Sequence, residues 1–337
     1  MLLLGGAAAH ASAVSVVVTR GDTWDPAAGV DASTGRSFLS WTGYNAAGIP
    51  HAFLRSQPGS RVQLNQRGQG WAWGMDTAAS TVAFQLARYG DSNVRFYDWV
   101  TAARSAAPPT VNSEKWEYEP SISGPWLVFA RWNRVPSPDV RRLFLYNLNT
   151  GSETLLAEFA GGRADGMLES AQVNGDWVVW TTWRDRFTQA RVTRYQISTG
   201  ARDVVPAGRR PFDYLSSVSQ DGTVYFLRSG AACGTNVRVL RYTTAGVVSL
   251  VTPLPAGRDG GDEMFAESMP GGGTDLYLDT FRCDAHRPNG NIWKVSVDAG
   301  ATAPVRPATA GRPTAGVPKH LPAAAMRRLS AITGGLQ

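Results

Sequence analysis

The sequence predicts an all-β fold: a six-bladed β-propeller of four-stranded antiparallel blades, closed by an N-terminal strand in the last blade. Three observations predict it. The 337-residue chain is rich in Gly (36), Pro (20) and aromatics (12 Trp, 10 Tyr, 12 Phe), a mixture that suits many short strands joined by tight turns. A set of four strand-like pieces recurs roughly every 45 residues, the period of a propeller blade. A valine-rich run at 13–19 has no partner in the unit that follows it, while the last unit lacks a final strand.

The units can be taken in order. The first reads VDASTGRSFLSWTGY with HAFLRSQPGSRVQLN, and the second MDTAASTVAFQLARYG with NVRFYDWV. The third is the clearest: EPSISGPWLVFARWN, RRLFLYNLNTG, SETLLAE. ESAQVNGDWVVWTTW, ARVTRYQISTG and ARDVVPA make the fourth; SSVSQDGTVYFLRS, VRVLRYTTAG and VVSLVTP the fifth; ESMPGGGTDLYLDTFR and NIWKVSVDAG the sixth. Turn glycines recur at Gly151, Gly200, Gly246 and Gly300, and the opening strands align as a column of Asp31, Asp76, Glu119, Glu169, Leu215 and Glu267. One such sheet cannot bury both of its faces, whereas stacking sheets around an axis buries them. Trp126, Trp177, Trp180 and Trp293 are expected to fill the space between sheets. After the sixth unit, ATAPVRPATAGRP is too proline-rich for a central ladder. The strand at 13–19 is therefore predicted to complete that blade and remove its open edge.

Charge and termini set the domain organisation. The formal charge is +6, but Arg306, Arg312, Lys319, Arg327 and Arg328 place five positive charges and no acid in 299–337, leaving +1 for the rest. A nearly neutral body has no electrostatic footprint for nucleic acid. Residues 1–13, MLLLGGAAAHASA, read as the trailing part of a signal peptide with an A-x-A site at Ala11-Ser12-Ala13. The run is too short to span a bilayer, so an exported, monomeric protein without a transmembrane segment is expected. The propeller then occupies 14–298, followed by an Ala/Pro-rich basic tail over 299–337 with a short helix at 322–332. Cys233 and Cys283 each follow a β-like run, which puts them in equivalent loops of successive units. A disulfide between them is expected in an exported chain.

The fifth unit, SVSQDGTVYFL followed by VRVLRYTTAGVVSLVT, resembles the TolB-type six-bladed propeller repeat in its S-x-D-G turn and T-G hairpin. NLNTGSETLLA and QISTGARDVV carry the same T-G element. The resemblance extends over about 14–298, with its specific motifs in units three to five. It implies a scaffold that binds proteins or ligands at the mouth of a central channel. Hydrolase-associated and sugar-associated propellers also belong to that group, so it fixes no activity.

The segments that lead into each first strand carry the candidate chemistry. They combine an arginine, bulky apolar residues and carboxylates, and on a propeller they share one face. Trp24, Trp73, Asp76, Trp116, Tyr118, Glu119, Glu169, Asp213, Tyr214 and Glu267 are the candidate ligand-binding residues. Carboxylates suit hydroxyls or a hard cation such as Ca²⁺, and aromatic faces suit sugar rings or cationic groups. A protein, peptide or carbohydrate ligand is expected. The competing structural reading pairs these acids with Arg20, Arg67, Arg163, Arg210 and Arg258 on the same loops. No G-x-S-x-G elbow, H-E-x-x-H pair or P-loop occurs, and two cysteines with four histidines make no closed zinc site. Catalysis would need two carboxylates at a set separation, as in polysaccharide hydrolysis.

Overall fold

The structure is a computed structural model. It describes residues 14–18, 23–30, 35–45, 49–57, 59–66, 68–88, 90–133, 140–160, 166–184, 189–206, 212–229, 237–254, 258, 260–269, 272–281, 291–297 and 303–304. All regular elements among them are strands. The leader at 1–13, the helix expected at 322–332, Cys233 and Cys283 lie outside the described residues.

The chain repeats one meander. β1 (Val14–Val18) comes first. β2 (Thr23–Val30), β3 (Ser37–Tyr44), β4 (Pro50–Gln57) and β5 (Arg61–Gln63) form the first full sheet. β6 (Trp71–Ala78), β7 (Thr81–Arg88), β8 (Asp91–Asp98) and β9 (Arg104–Ala106) form the next. β10 (Trp116–Ser123), β11 (Trp126–Asn133), β12 (Val140–Asn147) and β13 (Glu153–Ala160) follow, joined to β8 by one parallel bridge, Trp116 to Ser92. β14 (Gly166–Asn174), β15 (Trp177–Arg184), β16 (Gln189–Gln196) and β17 (Arg202–Val204) are linked the same way to β18 (Phe212–Val218), β19 (Val224–Ser229), β20 (Arg238–Tyr242) and β21 (Val248–Pro253). β22 (Gly260–Ser268), β23 (Thr274–Phe281) and β24 (Asn291–Val297) complete the series.

The missing outer strand of the last meander is β1. It runs antiparallel to β24, with Val14 opposite Val295 and Val16 opposite Trp293. The first and last parts of the chain thus share one sheet, as expected. Beyond it, β25 (Ala303–Pro304) pairs the edge of β21, so a short piece of the predicted tail belongs to the folded body. Proline is tolerated there because an edge strand needs donors on one side only.

Packing follows the meander order. The first strand of each sheet touches the first strand of the next, from β2 through β6, β10, β14, β18 and β22 back to β2. The main hydrophobic clusters draw on adjacent sheets. Val128, Leu143 and Leu145 meet Leu168, Val178 and Trp180, while Val179 and Val192 meet Val224, Phe226 and Leu240. Turn chemistry sets the hairpins. Asn147 Oδ1 accepts from the amides of Asn149 (2.9 Å) and Thr150 (3.1 Å), and Gly151 takes a φ of 75°. In the S-x-D-G turn, Ser219 Oγ and the Thr223 amide both donate to Asp221 Oδ1, at 2.6 and 3.0 Å. Gly222 of that turn lies against the indole of Trp177, where a Cβ would come within 2.4 Å of the ring.

Candidate functional site

Each first strand carries a two-residue bulge. The register breaks between Trp24/Ala27, Trp73/Asp76, Tyr118/Ser121, Glu169/Gln172, Tyr214/Ser217 and Gly261/Met264. A bulge bends its strand and re-aims the side chains around it. Its first residue is left-handed in five of these strands: Asp25 (φ 46°), Gly74 (60°), Glu119 (49°), Ser170 (51°) and Leu215 (52°). Only glycine adopts that conformation freely. Four other residue types holding it at one structural position means that the packing around them imposes it. Pro26 and Pro120 occupy the second bulge position, where a missing N–H costs nothing.

The bulges converge on a small central cavity of about 40 Å³. Its lining includes Asp25, Asp76, Glu119 and Glu263, together with Gly74, Ser170, Gln172, Ser216 and Met264. Four lining residues are acids, and no Lys, Arg or His is among the described residues that line it. Asp25 Oδ2 accepts from Thr42 Oγ1 and from the Gly74 amide of the next sheet, both at 2.8 Å.

A belt of hydrogen bonds ties the sheets together just past the bulges. Buried Asp76 accepts from its neighbour Thr77 N (2.6 Å) and, across the seam, from Ser121 Oγ and Ile122 N (3.2 Å). Ser121 Oγ in turn accepts from Val173 N at 2.7 Å in the sheet beyond. Gln172 repeats the arrangement, its Oε1 taking Ser217 Oγ and Val218 N (2.9 Å), and Ser217 Oγ accepts from Ala266 N at 2.6 Å. Burial raises Asp76 to about 7, although all three donors act to lower it. A carboxyl removed from water disfavours its charged form.

Nearer the loops, the acids meet arginines of the second strand. Glu117 lies opposite Arg131 and bonds its Nε at 3.0 Å, with Ser113 Oγ adding a donor at 2.6 Å. Burial still pushes Glu117 up to about 7. Asp213 lies opposite Arg228 and accepts from its Nε (2.6 Å) and Nη2 (2.7 Å). Glu117 and Asp213 are thus each paired with a cross-strand arginine. Arg20, Arg67, Arg163 and Arg210 lie outside the described residues.

The ten candidate residues separate accordingly. Asp76 and Glu119 line the cavity. Trp24, Trp73, Trp116 and Tyr214 are buried: Trp24 packs on Tyr44 of its own sheet, Trp116 Nε1 donates to Gly90 O at 2.5 Å, and Tyr214 packs on Trp183 of the neighbouring sheet. Tyr118 is half-buried against the core. Glu169 accepts from the indole N–H of Trp183. Glu267 lies at the opposite end of its strand, opposite Asp275, where burial and that neighbouring carboxylate raise it to about 7 and Lys294 opposes them. The column that aligned Asp76 with Glu119, Glu169 and Glu267 thus joins different structural positions, because it matched carboxylates, whereas the residues in register with Asp76 are uncharged in the other first strands. The residues matching Asp76 are Ala27, Ser121, Gln172, Ser217 and Met264. Gln172, Ser121 and Ser217 were missed for that reason. His51 lies within β4, bonded to Asn65 Nδ2 at 2.9 Å.

Comparison with known proteins concerns the fold. No family model and no curated protein sequence matches the chain. Among solved structures, TolB of Agrobacterium tumefaciens superposes with a TM-score of 0.53 at 13% identity, covering 80% of this chain and 98% of that one. A gluconolactonase of Xanthomonas campestris gives 0.55 at 9% identity, covering 85% and 89%. TolB of Acinetobacter baumannii gives 0.49 at 14% identity, and the chain spans 64% of its length. The chain has a TolB-like β-propeller fold. At these identities the likeness is one of architecture. No helix among the described residues is long and apolar enough to cross a membrane, and no group of three or more His, Cys, Asp or Glu among them is placed to hold a metal ion.

Proposed function

We propose that the chain is an exported, monomeric six-bladed propeller that binds a protein, peptide or carbohydrate at the mouth of its central channel. The single observation behind this is the acid-lined cavity at the hub, where Asp25, Asp76, Glu119 and Glu263 converge with no cation among the described lining residues. Such a site favours a ligand rich in hydrogen-bond donors, for example a sugar, or a lysine or arginine side chain presented by a partner loop. Six meanders in a contact ring with a shared first-and-last sheet support the blade count. A disulfide between Cys233 and Cys283 remains part of the proposal.

Turnover is not part of it. Glu169 is engaged by Trp183, and Glu267 lies at the far end of its own strand, so these two carboxylates do not face one substrate. The test is a panel of lysine-containing peptides and of neutral and acidic glycans, assayed for binding and for released product with and without Ca²⁺. Binding without product, lost in Glu119→Gln at unchanged thermal stability, is the expected result. Released product, or full binding by that variant, would overturn the reading.

A further inference from the structure

We propose that a cleft on the flank, between the first two sheets, is a second ligand site, specific for a small organic anion with a carboxylate or phosphate on an apolar body. The cleft holds about 730 Å³, within the roughly 300–1,000 Å³ range of small-molecule sites. Buried Leu64 and Phe84 form its apolar floor, with Leu86 and Phe96 beside them. Antiparallel pairing sets Phe84 opposite Arg95, Leu86 opposite Asn93 and Arg88 opposite Asp91. Those residues therefore share the sheet face that turns toward the cleft.

Charge decides the ligand class. Arg88, Arg95 and Arg104 line the cleft against one carboxylate among the described lining residues, Asp91. Arg104 is committed: its Nε donates to Leu64 O at 3.0 Å and its guanidinium lies 5.0 Å from the Tyr97 ring centroid. Arg88 has Asp91 opposite it in register. Arg95 differs. It is half-buried, has no hydrogen-bond, ion-pair or ring partner among the described residues, and its Nε is out of contact with solvent. Asp91 is four residues away on the same strand, about 13 Å at strand spacing. A guanidinium stays charged at any working pH and presents a fork that fits carboxylate or phosphate. A buried donor without a partner is a feature that native proteins rarely leave unused. The apolar floor then asks for more than a bare ion.

This site is independent of the acidic hub, which would repel the same ligand. The test uses benzoate and phenyl phosphate as probes, with benzyl alcohol and phenol as neutral counterparts and inorganic phosphate as the bare anion, measured by ligand-observed NMR and calorimetry at low and moderate salt. Benzoate or phenyl phosphate should bind more tightly than its neutral counterpart and than inorganic phosphate, and more weakly as salt rises. Arg95→Gln should weaken that binding at least tenfold, while the hub variant Glu119→Gln leaves it unchanged. If the glutamine variant fails to fold, Arg95→Lys, which keeps the charge and loses the fork, should still weaken binding several-fold. No binding by either organic anion, equal binding of the neutral probes or of phosphate, or unchanged affinity in the Arg95 variant that folds would overturn the proposal.

Discussion

Replacing Asp76 by asparagine should change how stability depends on pH. Asp76 is 4% exposed, and burial raises it from 3.8 to about 7. In the unfolded chain it returns to about 3.9. Between those values the folded state keeps a proton that the unfolded state has released, so stability is greatest below about pH 4 and falls as pH rises toward 7. Roughly three pH units at about 1.4 kcal/mol each give a loss on the order of 4 kcal/mol. Asparagine cannot titrate, but its amide oxygen can still accept from Thr77 N or Ile122 N. Glu117 and Glu267, also raised to about 7, are present in both proteins and cancel in the difference. Urea unfolding of wild type and Asp76→Asn at pH 4, 5.5, 7 and 8 measures that difference directly. The variant should gain about 4 kcal/mol relative to wild type between the extremes. A difference that stays level within about 1 kcal/mol would refute the assignment of Asp76 as a buried, proton-holding group.

Three further outcomes are expected. A chain beginning at residue 19 lacks β1 and exposes the edge of β24, so it should associate with rising concentration and unfold at lower urea; size-exclusion chromatography that finds it monomeric and equally stable would contradict the shared sheet. Gly222→Ala puts a Cβ into the Trp177 ring at a φ of 81°, which should cost about 2 kcal/mol or more, read from tryptophan fluorescence in urea. Arg228→Met leaves Asp213 buried without its cation and should cost about 3 kcal/mol, most of it recovered when Asp213→Leu is added; a double variant no more stable than the single would exclude the pair.

Much of the ring was legible in the sequence for identifiable reasons. Proline in ATAPVRPATAGRP cannot supply a central strand, and VSVVV had nothing to pair with, so closure by β1 followed from hydrogen-bond accounting. The turns at Gly151, Gly200 and Gly246 were readable because left-handed positions select glycine. The hub was less so. The two-against-one count of a bulge breaks the period-2 pattern, and only Asp25-Pro26 and Glu119-Pro120 mark its position in the sequence. The tryptophans near the channel were ambiguous in the sequence because a blade buries both faces against its neighbours. Alternation along a strand therefore says that Trp24 and Trp116 are covered, without saying whether a ligand or another sheet covers them.

Blocking the hub tests most directly whether it is the binding site. Ala171 lines the cavity from a bulge and is half-buried, so a tryptophan there fills the space without removing any acid. Ala171→Trp should still unfold in one cooperative transition and lose the ligand captured by the wild-type protein. Capture at wild-type affinity through a plugged hub would contradict the account.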